Sequence, residues 1–401
     1  MRDPWTAEER AALWALTAQP LPADPTNRWA DDPAAALLGQ KLYFDPRFSG
    51  PLALDDPGGL GLAGESGKVA CVSCHDPATG GVDHRSKGNT SEAAGWTGRT
   101  SPTVLNAARS TWQFWDGRKD SLWAQATGPI EGAVEHNFSR LALVHQLDRI
   151  YRQDFVSVFG GLTDFSDLAR FPSSGKPGEA AFDQMAAADQ RAVNEVYSRF
   201  GKAIAAYERR LMDRSAFDRF MAGDTTALSD AAVRGAKLFV GRAACNECHS
   251  GPNLADSRFH NHAIPQDGPH IPAVDPGRAN GIPAVVADVF NAAGPFSDQP
   301  TSAHLSALST SDLDLGAFKT ATLRNIGRTA PYMHTGGFPT LWDVMVWYRD
   351  AAGTDGFVGK RDIAVQPLLL SDGDMNDIIA FLQSLDGDTL QAELVTKPVL
   401  P

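Results

Sequence analysis

Cys71-Val72-Ser73-Cys74-His75 and Cys245-Asn246-Glu247-Cys248-His249 repeat one pattern, Cys-x-x-Cys-His, and together they use all four cysteines of the chain. The spacing suits covalent attachment of haem: each thiolate adds to one vinyl group, and the adjacent histidine meets the iron from the proximal side. Two such motifs predict two covalently bound c-type haems. Cys71, Cys74, Cys245 and Cys248 would be the attachment points, and His75 and His249 the axial ligands. Zinc would need a second Cys or His pair near each motif, and two short disulfides would leave both histidines without a role.

The elements that position these motifs are helical. Thr6-Ala7-Glu8-Glu9 has the form of a capping box and opens a helix through about Thr17, ahead of the proline-rich stretch Pro20 to Pro25. Apolar residues at Val193, Tyr197, Phe200, Ile204, Tyr207 and Leu211 recur at alternating spacings of four and three, which predicts a long amphipathic helix between the two motifs. Another helix starts near Ser371, with Met375 in the core. Strand signals are scarce, so the fold class is mostly α.

The chain also repeats itself. Gly39-Gln40-Lys41-Leu42-Tyr43-Phe44 before the first motif answers Gly235-Ala236-Lys237-Leu238-Phe239-Val240 before the second. Downstream, Thr103-Val104-Leu105-Asn106 answers Thr322-Leu323-Arg324-Asn325, and Ser121-Leu122-Trp123 answers Thr340-Leu341-Trp342. Two tandem cytochrome c-like domains account for this, at 34–185 and 229–401, with an N-terminal helix and extended segment at 1–33 and a linking helix at 186–228. A stretch from about 260 to 315, rich in Gly, Pro, Ser and Asp, has little periodic hydrophobicity and reads as a long surface loop, a lid or docking element.

The second axial position decides whether a haem iron relays electrons or activates a small molecule. The repeat locates candidates for it: six residues after the matched tryptophans stand Pro129 in the first half and Tyr348 in the second. Proline cannot ligate and a phenolate ligates ferric iron well, so the first haem is expected to be open and the second closed.

Composition sets outer bounds. The 401 residues, 43% hydrophobic and 21% charged, contain no apolar run approaching the roughly 20 residues that span a bilayer. No membrane insertion is expected. A formal net charge of −12 disfavours nucleic acid and favours a partner with a basic face. The first residues, Met1 to Trp5, lack the basic and apolar regions of a signal peptide. Because haem is attached to such motifs outside the cytoplasm, the sequence reads as the mature part of an exported, periplasmic protein.

Thr329-Ala330-Pro331-Tyr332-Met333-His334, Phe114-Trp115-Asp116-Gly117-Arg118 and the spacing of both haem motifs resemble the bacterial di-haem cytochrome c peroxidase and MauG superfamily, from about Gly39 to Leu385. The resemblance implies that His75 serves a peroxidatic haem and His249 an electron-transfer haem, with Trp115 carrying holes between them. It implies that Gln125, Pro129 and Glu135 form the distal pocket, Glu135 being the acid/base for hydrogen peroxide. Tyr348, where the peroxidase branch has methionine, resembles the MauG branch, and Met345 is the rival ligand three residues earlier. The segment Glu92-Ala93-Ala94-Gly95-Trp96 lacks the histidine that closes the resting first haem in the peroxidases, and His84 is the nearest substitute. The family also holds a calcium ion; Thr329 and Pro331 match its carbonyl ligands, and Thr100 stands where an asparagine is expected.

The function these features imply is that of a di-haem enzyme that reacts with hydrogen peroxide, shares a high-valent state between its haems and oxidises an aromatic side chain, tryptophan, of a partner protein. The segment Pro22 to Pro33 is similar to the MbnH-like subgroup, which modifies a companion protein's tryptophan. The alternatives are a cytochrome c peroxidase taking electrons from a small redox protein and a non-catalytic di-haem electron carrier. His136, His145, His260, His262, His270 and His304 stand in no motif and are expected on the surface or in loops, while His334 is expected to make a structural hydrogen bond.

Overall fold

Thr6 starts the first helix, α1 (Ala7–Ala15), through a reciprocal capping box with Glu9. The structure, a computed structural model, describes residues 5–55, 57–301, 304–350 and 355–401. Of the opening stretch that lacks signal-peptide features, all but Trp5 lies outside the described residues. The next helix, α2 (Pro33–Phe44), has Asp32 accepting from two backbone N–H groups and proline at its first position, where no intrahelical donor is needed. Ser121 caps α3 (Leu122–Glu131), Ser139 caps α4 (Arg140–Phe159), and the long α5 spans Ala187–Glu208. In the second half are α6 (Asp230–Val240), α7 (Arg278–Ala287), α8 (Leu341–Asp350) and α9 (Asp372–Gln383), the last opened by Ser371 in a capping box. The only strands among the described residues are β1 (Phe259–His260) and β2 (Phe318–Lys319), paired antiparallel.

The apolar faces of these helices close two main cores. Tyr43 of α2, Trp123 of α3, Leu143 and Phe155 of α4 and Phe200 of α5 build the first. Leu13 of α1, Phe239 of α6, Leu341 of α8 and Met375 and Phe381 of α9 build the second. The expected periodicity holds from Val193 through Tyr197, Phe200 and Ile204 to Tyr207, all buried in the first core; Leu211 is buried there too but lies beyond α5, so the linking helix stops at Glu208 and does not run to 228.

The internal repeat is geometric as well as textual. A β-carbon added at Gly39 would lie 1.9 Å from the Ala203 carbonyl oxygen, and one at Gly235 would lie 1.9 Å from that of Asp377. In each half, then, the helix before the haem motif crosses a second helix so closely that only glycine fits. Alanine at either position forces the helices apart and should cost at least about 1–3 kcal/mol, read as a lower urea midpoint; an unchanged midpoint would refute the close crossing. Asn106 and Asn325 are both left-handed, at φ 59° and 62°, and both donate to one carboxylate, Asp213, at 2.8 and 2.9 Å.

The stretch 260–315 departs from its expectation as an irregular surface loop. It contains α7 and lies across the first half. Phe290 enters the first core, Lys202 pairs with Asp298 at 2.8 Å, and Arg99 grips Asp275 through two 2.7 Å hydrogen bonds. His270 stacks on Trp96 with ring centres 3.9 Å apart and planes 6° from parallel. Its polar composition hid this docking because several of the contacts that fix it are ion pairs between distant residues, which leave no hydrophobic period in the sequence.

Candidate functional site

Each Cys-x-x-Cys-His segment opens onto its own cavity. The first, of about 460 Å³, is lined by Cys71, Cys74, His75, Gln125, Pro129 and Glu135; the second, of about 330 Å³, by Cys245, Cys248, His249, Met345 and Tyr348. Trp115 lines both. The residues singled out in the sequence thus converge on two neighbouring chambers that share a wall.

The proximal histidines are set up as metal ligands. His75 Nδ1 lies 2.9 Å from the Pro102 carbonyl, and His249 Nδ1 lies 2.9 Å from that of Leu254. A carbonyl only accepts, so each Nδ1 carries the proton and each Nε2 keeps a lone pair for iron. Burial holds both imidazoles below their usual range and therefore neutral. All four cysteines are free. Among the described residues the one Cys/His/carboxylate cluster tight enough for a metal is Cys248 with Asp256 and His260, so neither motif folds its own two sulfurs and imidazole into a zinc site. Paired sulfurs, a free Nε2 and a largely apolar chamber fit a haem in each cavity.

In the first cavity the side chains are placed by α3 and its C-terminal turn. Pro129, inside α3, has no N–H to give the Gln125 carbonyl, and α3 ends two residues later at Glu131. The chain then folds back, with Glu135 N donating to Gly132 O at 3.1 Å and His136 N to Pro129 O at 3.1 Å. Glu135 lines the chamber, and desolvation raises its carboxyl above the ordinary glutamate range, opposed by Arg118. Glu208, from the last turn of α5, also faces this cavity. Its Oε2 is buried without a hydrogen-bond partner, and burial pushes the carboxyl up to about 8.

Trp115 is held between the chambers by its indole N–H, which donates to the Thr100 carbonyl at 2.8 Å. Around it runs an ion network: Arg99 pairs with Asp116 and with Asp275, each at 2.7 Å, and Arg118 reaches Asp116 at 3.1 Å. Burial pushes Asp116 up, but Arg118 and Arg99 outweigh it and hold the carboxyl below its usual range. Thr100, Thr329 and Pro331 all line the second cavity. They offer carbonyl and hydroxyl oxygens of the kind calcium takes, without the asparagine side chain that the resemblance implies.

The second cavity holds the main surprise. Tyr348 Oη lies 2.8 Å from His262 Nδ1, and His260 is clamped between Asp362 at 2.6 Å and Asp256 at 2.9 Å. Both histidines line the chamber, and His136, 5% exposed, lines the first. His136 and His262 stand in irregular segments as expected and His260 in β1, but all three face the chambers, a placement the sequence reading did not assign them. The remaining unassigned histidines, His145, His270 and His304, are partly exposed as expected. Burial keeps His262 neutral, lowered to about 4, whereas the flanking carboxylates raise His260 to about 11. The signal that could have found the pair is their i, i+2 spacing in Phe259-His260-Asn261-His262, which places both on one side of an extended segment. His334 bonds Gln266 at 2.8 Å, as a structural residue. His84 is exposed, its Nε2 at 2.7 Å from the Thr79 carbonyl and 3.0 Å from that of Arg328, and it lines neither chamber.

A mostly helical chain with two chambers, each carrying a haem-attachment motif and both touching one tryptophan, defines a di-haem redox protein. The family model described as di-haem cytochrome c peroxidase matches residues 33–226. The cytochrome-c peroxidase IdrP1 of Denitromonas iodatirespirans is 32% identical, over 91% of this chain and 85% of that protein. The cytochrome c551 peroxidase of Pseudomonas aeruginosa is 31% identical over 91% of this chain and 81% of that protein, and the methylamine utilization protein MauG of Methylophilus methylotrophus is 31% identical over 91% and 85%. Among solved structures, a MauG-like protein associated with microbial copper homeostasis superposes with a TM-score of 0.65 at 22% identity, covering 95% of this chain and 97% of that one. The diheme peroxidase BthA from Burkholderia thailandensis does so at 0.64 and 20%, covering 96% and 98%. The chain belongs to the di-haem cytochrome c peroxidase family and is a haem-dependent oxidoreductase.

Proposed function

We propose that this enzyme reacts with hydrogen peroxide in the first cavity and withdraws the two electrons from an aromatic side chain, tryptophan, of a partner protein by way of the second. The observation that carries the reading is the unequal furnishing of two chambers joined by Trp115: Gln125, Pro129 and Glu135 in one, Tyr348 in the other. Covalently bound haems supply the peroxide-binding iron and the store for oxidising equivalents. Glu135 takes a proton from one peroxide oxygen and returns it to the other, for which its raised carboxyl is suited. The Gln125 amide orients the peroxide, and Pro129 keeps a ligating side chain away from that position. The Thr100 carbonyl fixes the plane of the Trp115 indole, through which electrons cross between chambers. Peroxide, two protons and two electrons leave as two waters.

The partner is a protein with a basic face, matched to a net charge of −12. The enzyme works in the periplasm, and no helix among the described residues is long and apolar enough to cross a membrane.

One observation favours a second reading. Met345, 4% exposed, lines the same cavity as Tyr348, and methionine ligation would make the protein a cytochrome c peroxidase fed by a small redox protein. One equivalent of peroxide added to the resting diferric protein separates the two. The proposed function requires a long-lived two-electron oxidised state without prior reduction; a requirement for half-reduction would establish the peroxidase instead.

A further inference from the structure

We infer that His262 is a positioning residue that selects Tyr348 over Met345 as the second ligand of the haem bound by His249. This inference rests on the reading of Tyr348 as that ligand. Both candidates lie on α8, three residues apart, and both line the second cavity, so helix geometry alone does not choose between them. What differs is their partners. Met345 sits in the second apolar core, whereas the Tyr348 oxygen is held 2.8 Å from His262 Nδ1.

His262 is itself fixed from several sides. Its carbonyl accepts the indole N–H of Trp347 at 3.3 Å, and its ring stands edge-on to Tyr348, 5.6 Å between centres and 85° between planes. The preceding Asn261 is anchored through its side-chain amide to the carbonyls of Leu315, at 3.1 Å, and Val358, at 2.6 Å. The following Ala263 is held at φ 56°, a conformation unfavourable for alanine, with its N–H donating to the Asn261 side chain at 2.9 Å. The surroundings thus fix the backbone from which the imidazole reaches Tyr348. A neutral imidazole accepts a phenol proton in one tautomer and donates Nδ1–H to a phenolate in the other, so the same contact survives when the oxygen is turned to a metal.

The test is spectroscopic, on the purified diferric di-haem protein. His262→Leu should lose the tyrosinate signature of the low-spin haem, gain the near-infrared band of thioether ligation and show an upward shift in that haem's reduction potential, matching Tyr348→Phe. His262→Gln, which can still bond the phenolic oxygen, should keep the wild-type signature. A tyrosinate signal retained in His262→Leu overturns the inference while leaving ligation by Tyr348 intact, and so does an equal change in the Leu and Gln variants, which would point to packing. An unchanged signal in Tyr348→Phe overturns the ligation reading itself.

Discussion

Glu135→Gln slows the reaction of the resting diferric protein with one equivalent of hydrogen peroxide by about 10²–10⁴-fold, the range for loss of a positioned acid/base. The glutamine keeps the size and most of the polarity of the side chain but can neither take the proton from one peroxide oxygen nor return it to the other. Stopped-flow absorbance measures the effect directly. A rate within a few-fold of wild type would remove Glu135 from the mechanism. The pH dependence supplies a second arm. Desolvation raises the Glu135 carboxyl, and the base must be ionised to act, so the wild-type rate climbs with pH through a pKa above that of ordinary glutamate. That limb disappears in the variant.

Glu208→Gln should change how stability responds to pH. In the folded protein Glu208 is raised from 4.5 to about 8 by burial, and its Oε2 has no partner. Between these values the unfolded chain has given up the proton and the folded chain retains it, so stability is full below about 4.5 and declines as pH rises toward 8. The shift corresponds to a loss of up to about 4–5 kcal/mol at alkaline pH. Glutamine is neutral throughout and abolishes this slope. Urea midpoints of the two proteins from pH 5 to 9 should therefore diverge in favour of the variant. Parallel curves would show that Glu208 finds a partner when the chamber is filled.

The haem motifs were fully legible in the sequence because covalent attachment demands contiguous residues. The cap at Thr6 was legible for the same reason, since a cap is read within four positions. The paired glycines, asparagines and tryptophans exposed the repeat, and the repeat together with the family resemblance brought Trp115, Glu135 and Tyr348 to the chambers they line. The features that stayed hidden depend on long-range meetings of single polar residues. His262 reaches Tyr348 across 86 positions and Asp275 reaches Arg99 across 176, and neither pairing leaves a local period or motif. Glu208 was passed over because it sits within the apolar rhythm of α5, where a carboxyl looks like the helix's polar face; the structure turns it inward.

Asp213 fastens the two repeats at a single point, one oxygen to Asn106 and the other to Asn325. Rotating one repeat against the other would strip this buried carboxylate of at least one amide, at roughly 1.5–3 kcal/mol. For the proposed electron path through Trp115 the carboxylate is a rivet between the two halves, and its removal should broaden the spread of transfer rates.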